Sequence, residues 1–135
     1  MDRARLAALA LFADLPDEEL DAVARVAEEV RFDGAGQPVT TEGEFGHTLY
    51  VIESGSAEVS VDGDPVGAVQ PGDVIGEIAV LRSGRRTASV VTSSPVVALA
   101  FFKRDVWALE RSAPLAAQRL RDAAERRSET ESVAP

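Results

Sequence analysis

The chain has 135 residues, 45% of them hydrophobic, which is enough for one domain with its own core. It has no cysteine and one histidine, which excludes disulfides, thiolate metal sites and a histidine-rich metal cluster. A formal net charge of -9 argues against autonomous binding to nucleic acid.

The first elements are expected to be helices. Leu6, Leu9 and Ala10 follow i, i+3, i+4 spacing and predict a short helix within residues 1–12. The turn DLPD feeds a second helix over residues 17–29, with Asp17 as its cap and Glu18 and Glu19 in the dipole-favoured first turn. Leu20, Val23, Ala24 and Ala27 supply its apolar stripe. The longest apolar runs, LAALALFA from Leu6 and VVALAFF from Val96, fall far below the ~20 residues that a bilayer requires. Ala8-Leu9-Ala10 lies inside the first run, so cleavage there would leave almost no signal-peptide core. The expectation is a mature cytoplasmic N-terminus.

After Val30 the periodicity changes to two. Turn clusters such as GAGQP, EGEFG, ESGS, DGDP, QPGD and SSP separate strand candidates at 39–41, 48–53, 57–61, 66–69, 87–91 and 96–101. Ala57, Val59 and Val61 alternate with Glu58 and Ser60, so that strand has one buried and one wet face. Asp62-Gly63 is a tight-hairpin signal. Helical spacing returns over 105–112 and again from Pro114, where Leu115, Ala116, Arg119, Leu120, Ala123 and Ala124 continue it. SETESVAP, residues 128–135, reads as a disordered tail, leaving residues 1–127 as the domain. The fold class is mainly β with flanking helices: a sandwich, barrel or jelly roll.

Charge is unevenly spread. Residues 13–64 hold fourteen acids against two arginines, whereas residues 82–104 hold no acid and five basic side chains. Within this basic region, GEIAVLRSGRRTA spans residues 76–88. Gly76 permits close backbone approach, and a helical turn begun at Ile78 would aim unpaired N–H groups at an anion. Arg86 can donate two hydrogen bonds to a phosphate, Glu77 can accept from a hydroxyl, and Thr87 can add a donor. By spacing alone, a generic basic loop with a structural ion pair stands beside a pocket for one small anion.

These residues carry a family resemblance. LFADLPDEEL, GAGQPVTTEGEFGHTLYVIESGSAEV and PGDVIGEIAVLRSGRRTASV resemble the helical entry, glycine-punctuated β-roll and phosphate-binding cassette of cyclic nucleotide-binding domains. The match covers residues 11–126, and the cassette is similar to those of cyclic nucleotide-gated channels and catabolite activator-type regulators. The resemblance implies a jelly-roll-like β-roll of about eight strands, with N-terminal helices and two C-terminal helices. It assigns Glu77 to the ribose 2′-OH and Arg86 to the cyclic phosphate, with Gly76, Ile78, Ala79, Thr87 and Ala88 completing the cassette. Val69 and Val74 become candidates for apolar contact with the base, and Arg119, Leu120 or Ala123 for capping it. Arg85 falls where many members carry proline and is expected to face solvent. Ile75 replaces a common aromatic residue and His47 a common aspartate.

The implied protein is a non-enzymatic sensor of cyclic AMP, or of cyclic GMP, with no cofactor and no metal. Its C-terminal helices close over the ligand and signal to an unidentified protein effector. The chain leaves no room for a helix-turn-helix domain after the last helix, so the expectation is a stand-alone domain, a self-associating one, or a fragment of something longer. A homodimer through the C-terminal helix is one arrangement considered. The alternative is a β-roll scaffold that serves protein interactions without nucleotide. A metal-dependent jelly-roll enzyme needs several ligands that one histidine cannot supply. His47 is read as a turn residue, Trp107 as a packing residue, and the arginines of the last helix as a solvated face.

Overall fold

The computed structural model describes residues 1–75, 86 and 88–132. The first helix, α1 (Arg3–Ala7), is opened by Asp2, whose side chain accepts from the Ala4 N–H at 2.8 Å. The second, α2 (Asp17–Val26), starts one residue earlier than a side-chain cap at Asp17 requires. Pro16 holds the cap position, and its carbonyl accepts from the N–H groups of Glu19 and Leu20, both at 3.0 Å. Asp17, Glu18 and Glu19 fill the first turn, and Glu19, Leu20, Ala22 and Val23 are buried.

The expected helix over 17–29 is too long. It ends at Val26, and β1 (Glu28–Phe32) begins almost at once. Glu28 and Glu29 give a helix nothing to bury, whereas extended they pair antiparallel with Ala100 and Leu99. A long-range ladder overrides weak local propensity here. Six further strands match the expected ones or adjoin them: β2 (Pro38–Thr40), β3 (Thr48–Ser54), β4 (Ala57–Val61), β5 (Asp64–Val69), β7 (Ser89–Thr92) and β8 (Val96–Phe102). β6 (Val74–Ile75) is a two-residue strand that periodicity is too short to reveal. Two helices follow, α3 (Lys103–Ser112) and α4 (Pro114–Ser132), the latter running into the stretch read as a tail.

Among the described residues, eight strands form two antiparallel four-stranded sheets. One has the order β1-β8-β3-β6, the other β2-β7-β4-β5. The β4–β5 hairpin turns through Asp62 (φ 53°) and Gly63 (φ 84°), the two left-handed residues of a type I′ turn.

Two apolar cores flank the first sheet. Ile52, Ile75, Val96 and Ala98 of that sheet meet Ala57, Val59, Val69 and Val90 of the second inside the roll. On its other face, Leu49, Val51, Val74, Leu99 and Phe101 meet the helices, through Leu6, Leu20, Val23, Val106, Leu109, Ala116 and Leu120, and Phe12 of the turn between α1 and α2. This explains the unbroken run VVALAFF in β8, since a strand buried on both faces has no polar side to show. Arg5 fastens α1 to the sheet by pairing with Glu53 on β3 and Glu29 on β1. Glu29, shared by Arg31 and Arg5, is held below its usual carboxyl range.

A buried carboxylate locks the helical layer. Glu19 is 8% exposed, and its Oε1 accepts from the Ala116 N–H at 2.9 Å, in the first turn of α4. It thus caps a helix 97 residues away in sequence. Removing it in Glu19→Ala is expected to cost about 1–3 kcal/mol in urea unfolding, with Glu19→Gln losing less because an acceptor remains. Gly55 (φ 89°) joins β3 to β4, and a Cβ there would lie 2.1 Å from the Pro95 carbonyl oxygen. Backbone cannot step aside cheaply, so Gly55→Ala is expected to destabilise by about 2–4 kcal/mol in the same assay.

Candidate functional site

The strand β7 is entered through Arg86, and this arginine is buried, at 9% exposure. Its backbone is fixed at both ends by one loop: the Arg86 N–H donates to the Glu44 carbonyl at 2.7 Å, and the Arg86 carbonyl accepts from the Gly43 N–H at 2.9 Å. The zipper continues toward β2. Thr40 Oγ1 donates to the Ala88 carbonyl at 3.1 Å, and the Glu42 N–H donates to Ser89 Oγ at 3.0 Å. Residues 40–44 therefore form one unit with Arg86, Ala88 and Ser89, and Arg86 is held by backbone geometry that its own side chain does not determine.

The guanidinium packs against Gly46. A Cβ on that glycine would lie 2.2 Å from Arg86 Nε, 2.3 Å from Cζ and 2.8 Å from Cδ. Gly46 is itself buried. The next residue, His47, is exposed, and its carbonyl accepts from the Lys103 N–H at 3.0 Å where β8 passes into α3. Sequence reasoning read EGEFG only as a turn. The signal for its closeness to Arg86 was the spacing of its glycines, which does not by itself name a partner.

The remaining candidates divide between the two cores. Val69 and Ala88 lie together inside the roll, beside Ile75 and Val90. Val74 and Leu120 lie in the helical core on the other face of the first sheet, and Ala123 packs at its margin. Arg119 donates through Nη1 to the carbonyls of Leu11, at 3.3 Å, and Ala13. It also lines an open cavity of 260 Å³ with Ala10, Leu11, Gly72, Asp122 and Arg126. Gly72 belongs to the turn that leads into β6: its N–H donates to the Ile52 carbonyl at 2.7 Å. Gly76, Glu77, Ile78, Ala79 and Thr87 lie outside the described residues, as do Arg82 and Arg85.

Trp107, expected to pack, is instead 55% exposed with the Lys103 ammonium 5.2 Å from its ring centroid. Val106 and Leu109 occupy the inward side of α3, and the adjacent position points away from it.

A chemical class follows from this arrangement. A buried arginine just ahead of β7, in a basic stretch of an acidic chain, suits a small anion. The chain belongs to the cyclic nucleotide-binding domain family, whose model matches residues 31–112, more than half its length. A cAMP-dependent protein kinase regulatory subunit of Yarrowia lipolytica is 33% identical over 101 residues, 75% of this chain and 24% of that one. The acetyltransferase Pat of Mycolicibacterium smegmatis is 38% identical over 98 residues, 70% of this chain and 29% of that one. The crystal structure of Thermus thermophilus catabolite activator protein is similar with a TM-score of 0.76 and 30% identity, covering 91% of this chain and 60% of that one. The chain thus spans less than a third of either curated relative. Among the described residues no helix is long and apolar enough to cross a membrane.

Proposed function

We propose that this chain is a non-enzymatic cyclic nucleotide sensor that prefers cyclic AMP to cyclic GMP. The observation that carries the reading is the buried Arg86, fixed by residues 43–44 at the entrance to β7. Its guanidinium takes the cyclic phosphate through paired hydrogen bonds. Glu77 accepts from the ribose 2′-OH, and Gly76, Ile78, Ala79, Thr87 and Ala88 shape the cassette around the sugar-phosphate. Val69, inside the roll, lies on the base side. The preference for cyclic AMP is drawn from the kinase regulatory subunit named above. Thr87, next to the arginine, is the residue that would admit guanine.

Output runs through the helices. Val74, two residues ahead of Gly76, shares the helical core with Ala116, Ala117 and Leu120, and α4 packs on β6. A ligand that reshapes the cassette therefore acts on α4 through β6, provided that it prefers the closed arrangement. Leu120 is 1% exposed within the helical core, so it can cap the base only if α4 shifts. Arg119, on the cavity beside Gly72, and Ala123, at the margin of the helical core, are already partly exposed. The reader of that motion is an effector protein, a neighbouring module, or a second copy meeting it through α4. A cytoplasmic site of action fits this reading.

Calorimetric titration with both nucleotides tests it. Arg86→Ala is expected to weaken binding by ~2–5 kcal/mol, while Arg85→Ala costs much less. Ligand at about 100 times its dissociation constant is expected to raise stability by ~2.7 kcal/mol in thermal unfolding. No heat and no thermal shift at millimolar cyclic AMP or cyclic GMP would favour the nucleotide-independent scaffold instead.

A further inference from the structure

Gly46 is the one described glycine whose three nearest steric neighbours all belong to a single charged side chain. Gly55 also has no room for a Cβ, but its obstacles are the backbone of Pro95 and Val96, and its φ is 89°. Gly34, Gly36, Gly43, Gly63, Gly67 and Gly72 have open space. At Gly46 φ lies outside the left-handed region, so the position does not call for glycine on that account. What the position cannot accept is volume, and the volume it excludes is filled by Nε, Cζ and Cδ of Arg86.

The arginine has little means of compensating. Its N–H and carbonyl are both bonded to residues 43–44, so its backbone cannot slide to follow a displaced side chain. Only the side-chain torsions can respond, and they would turn the guanidinium away from its present pose. A flexible side-chain end yields at low cost to the fold, but a charged group presented to an anion loses its alignment when it yields.

We propose that Gly46 is a positioning residue for the anion clamp: its missing side chain forms the slot that sets the Arg86 guanidinium. The proposal rests on the reading of Arg86 as the cyclic phosphate ligand. The slot acts on affinity, through Arg86 alone, and not on the integrity of the roll.

The test is a double-mutant cycle on the full chain, with cyclic AMP as the probe in calorimetry and urea unfolding measured without ligand. Gly46→Ala is expected to weaken binding about tenfold or more, short of the loss caused by Arg86→Ala. In the Arg86→Ala background, Gly46→Ala is expected to change affinity less than about twofold, because its only target is gone. If Gly46→Ala lowers ligand-free stability, the double variant is expected to regain it. Wild-type affinity in Gly46→Ala, with Arg86→Ala impaired, would overturn the slot and leave the sensor reading standing. So would effects of the two substitutions that multiply, or a stability loss that Arg86→Ala fails to relieve. A wild-type chain that binds neither cyclic AMP nor cyclic GMP would remove the sensor reading, and the slot with it.

Discussion

A sheet that is apolar on both faces needs two partners, and the rest of this molecule is arranged to supply them. In β8, Val96 and Ala98 point into the roll, while Leu99 and Phe101 point to the helices. Neighbouring strands obey the same alternation: Ile52 and Ile75 face inward, Val51 and Val74 outward. The second sheet covers one side. The helices cover the other, with Phe12 stacked at a tilt on Phe101, their ring centroids 6.3 Å apart. The shared wall means that neither layer is independent of the other. β6 ends at Ile75, and its two residues sit in different cores.

The second organising fact is the burial of one guanidinium. Taking a charge out of water costs several kcal/mol unless its surroundings compensate. For Arg86 that compensation comes from outside its own segment, since residues 82–104 contain no acid. Its position is set by the carbonyl of Glu44, the N–H of Gly43 and the empty side of Gly46. Such a group is preorganised, because the loop that holds it is ordered by backbone bonds that form with the fold itself.

Elements with strong local chemistry were legible. Asp62-Gly63 makes the hairpin that its φ preferences demand, and Ala57, Glu58 and Val59 keep the alternation of a half-buried strand, which fades where Ser60 and Val61 are both half-buried. Pro114 opens a helix because it needs no donor there. Elements that depend on a distant partner were not. Glu28 and Glu29 become a strand only because β8 is there to pair with them, and Val74 and Ile75 become one only beside β3. Trp107 was read as a packing residue, but helix phase places it outside. Asp17 looked like a cap, yet the conformation of Pro16 moves the helix start back by one residue.

The candidate site divides along the same line. Gly76, Glu77, Arg86 and their neighbours could be named from sequence, because a glycine-acid pair and an arginine at fixed spacing are features of one short stretch. The loop around Arg86 could not, because residues 40–46 meet it only after β2 and β7 have paired across some fifty intervening positions. The sequence by itself determined the chemistry: an acidic chain with one basic, acid-free segment, strand periodicity between helical ends, and residue types suited to a phosphate and a hydroxyl. Tertiary structure alone decided which backbone fixes the arginine, which glycine leaves it space, and which core each apolar candidate joins. The physical reason is that spacing and propensity act over a few residues, whereas burial and steric exclusion exist only once distant segments occupy the same volume.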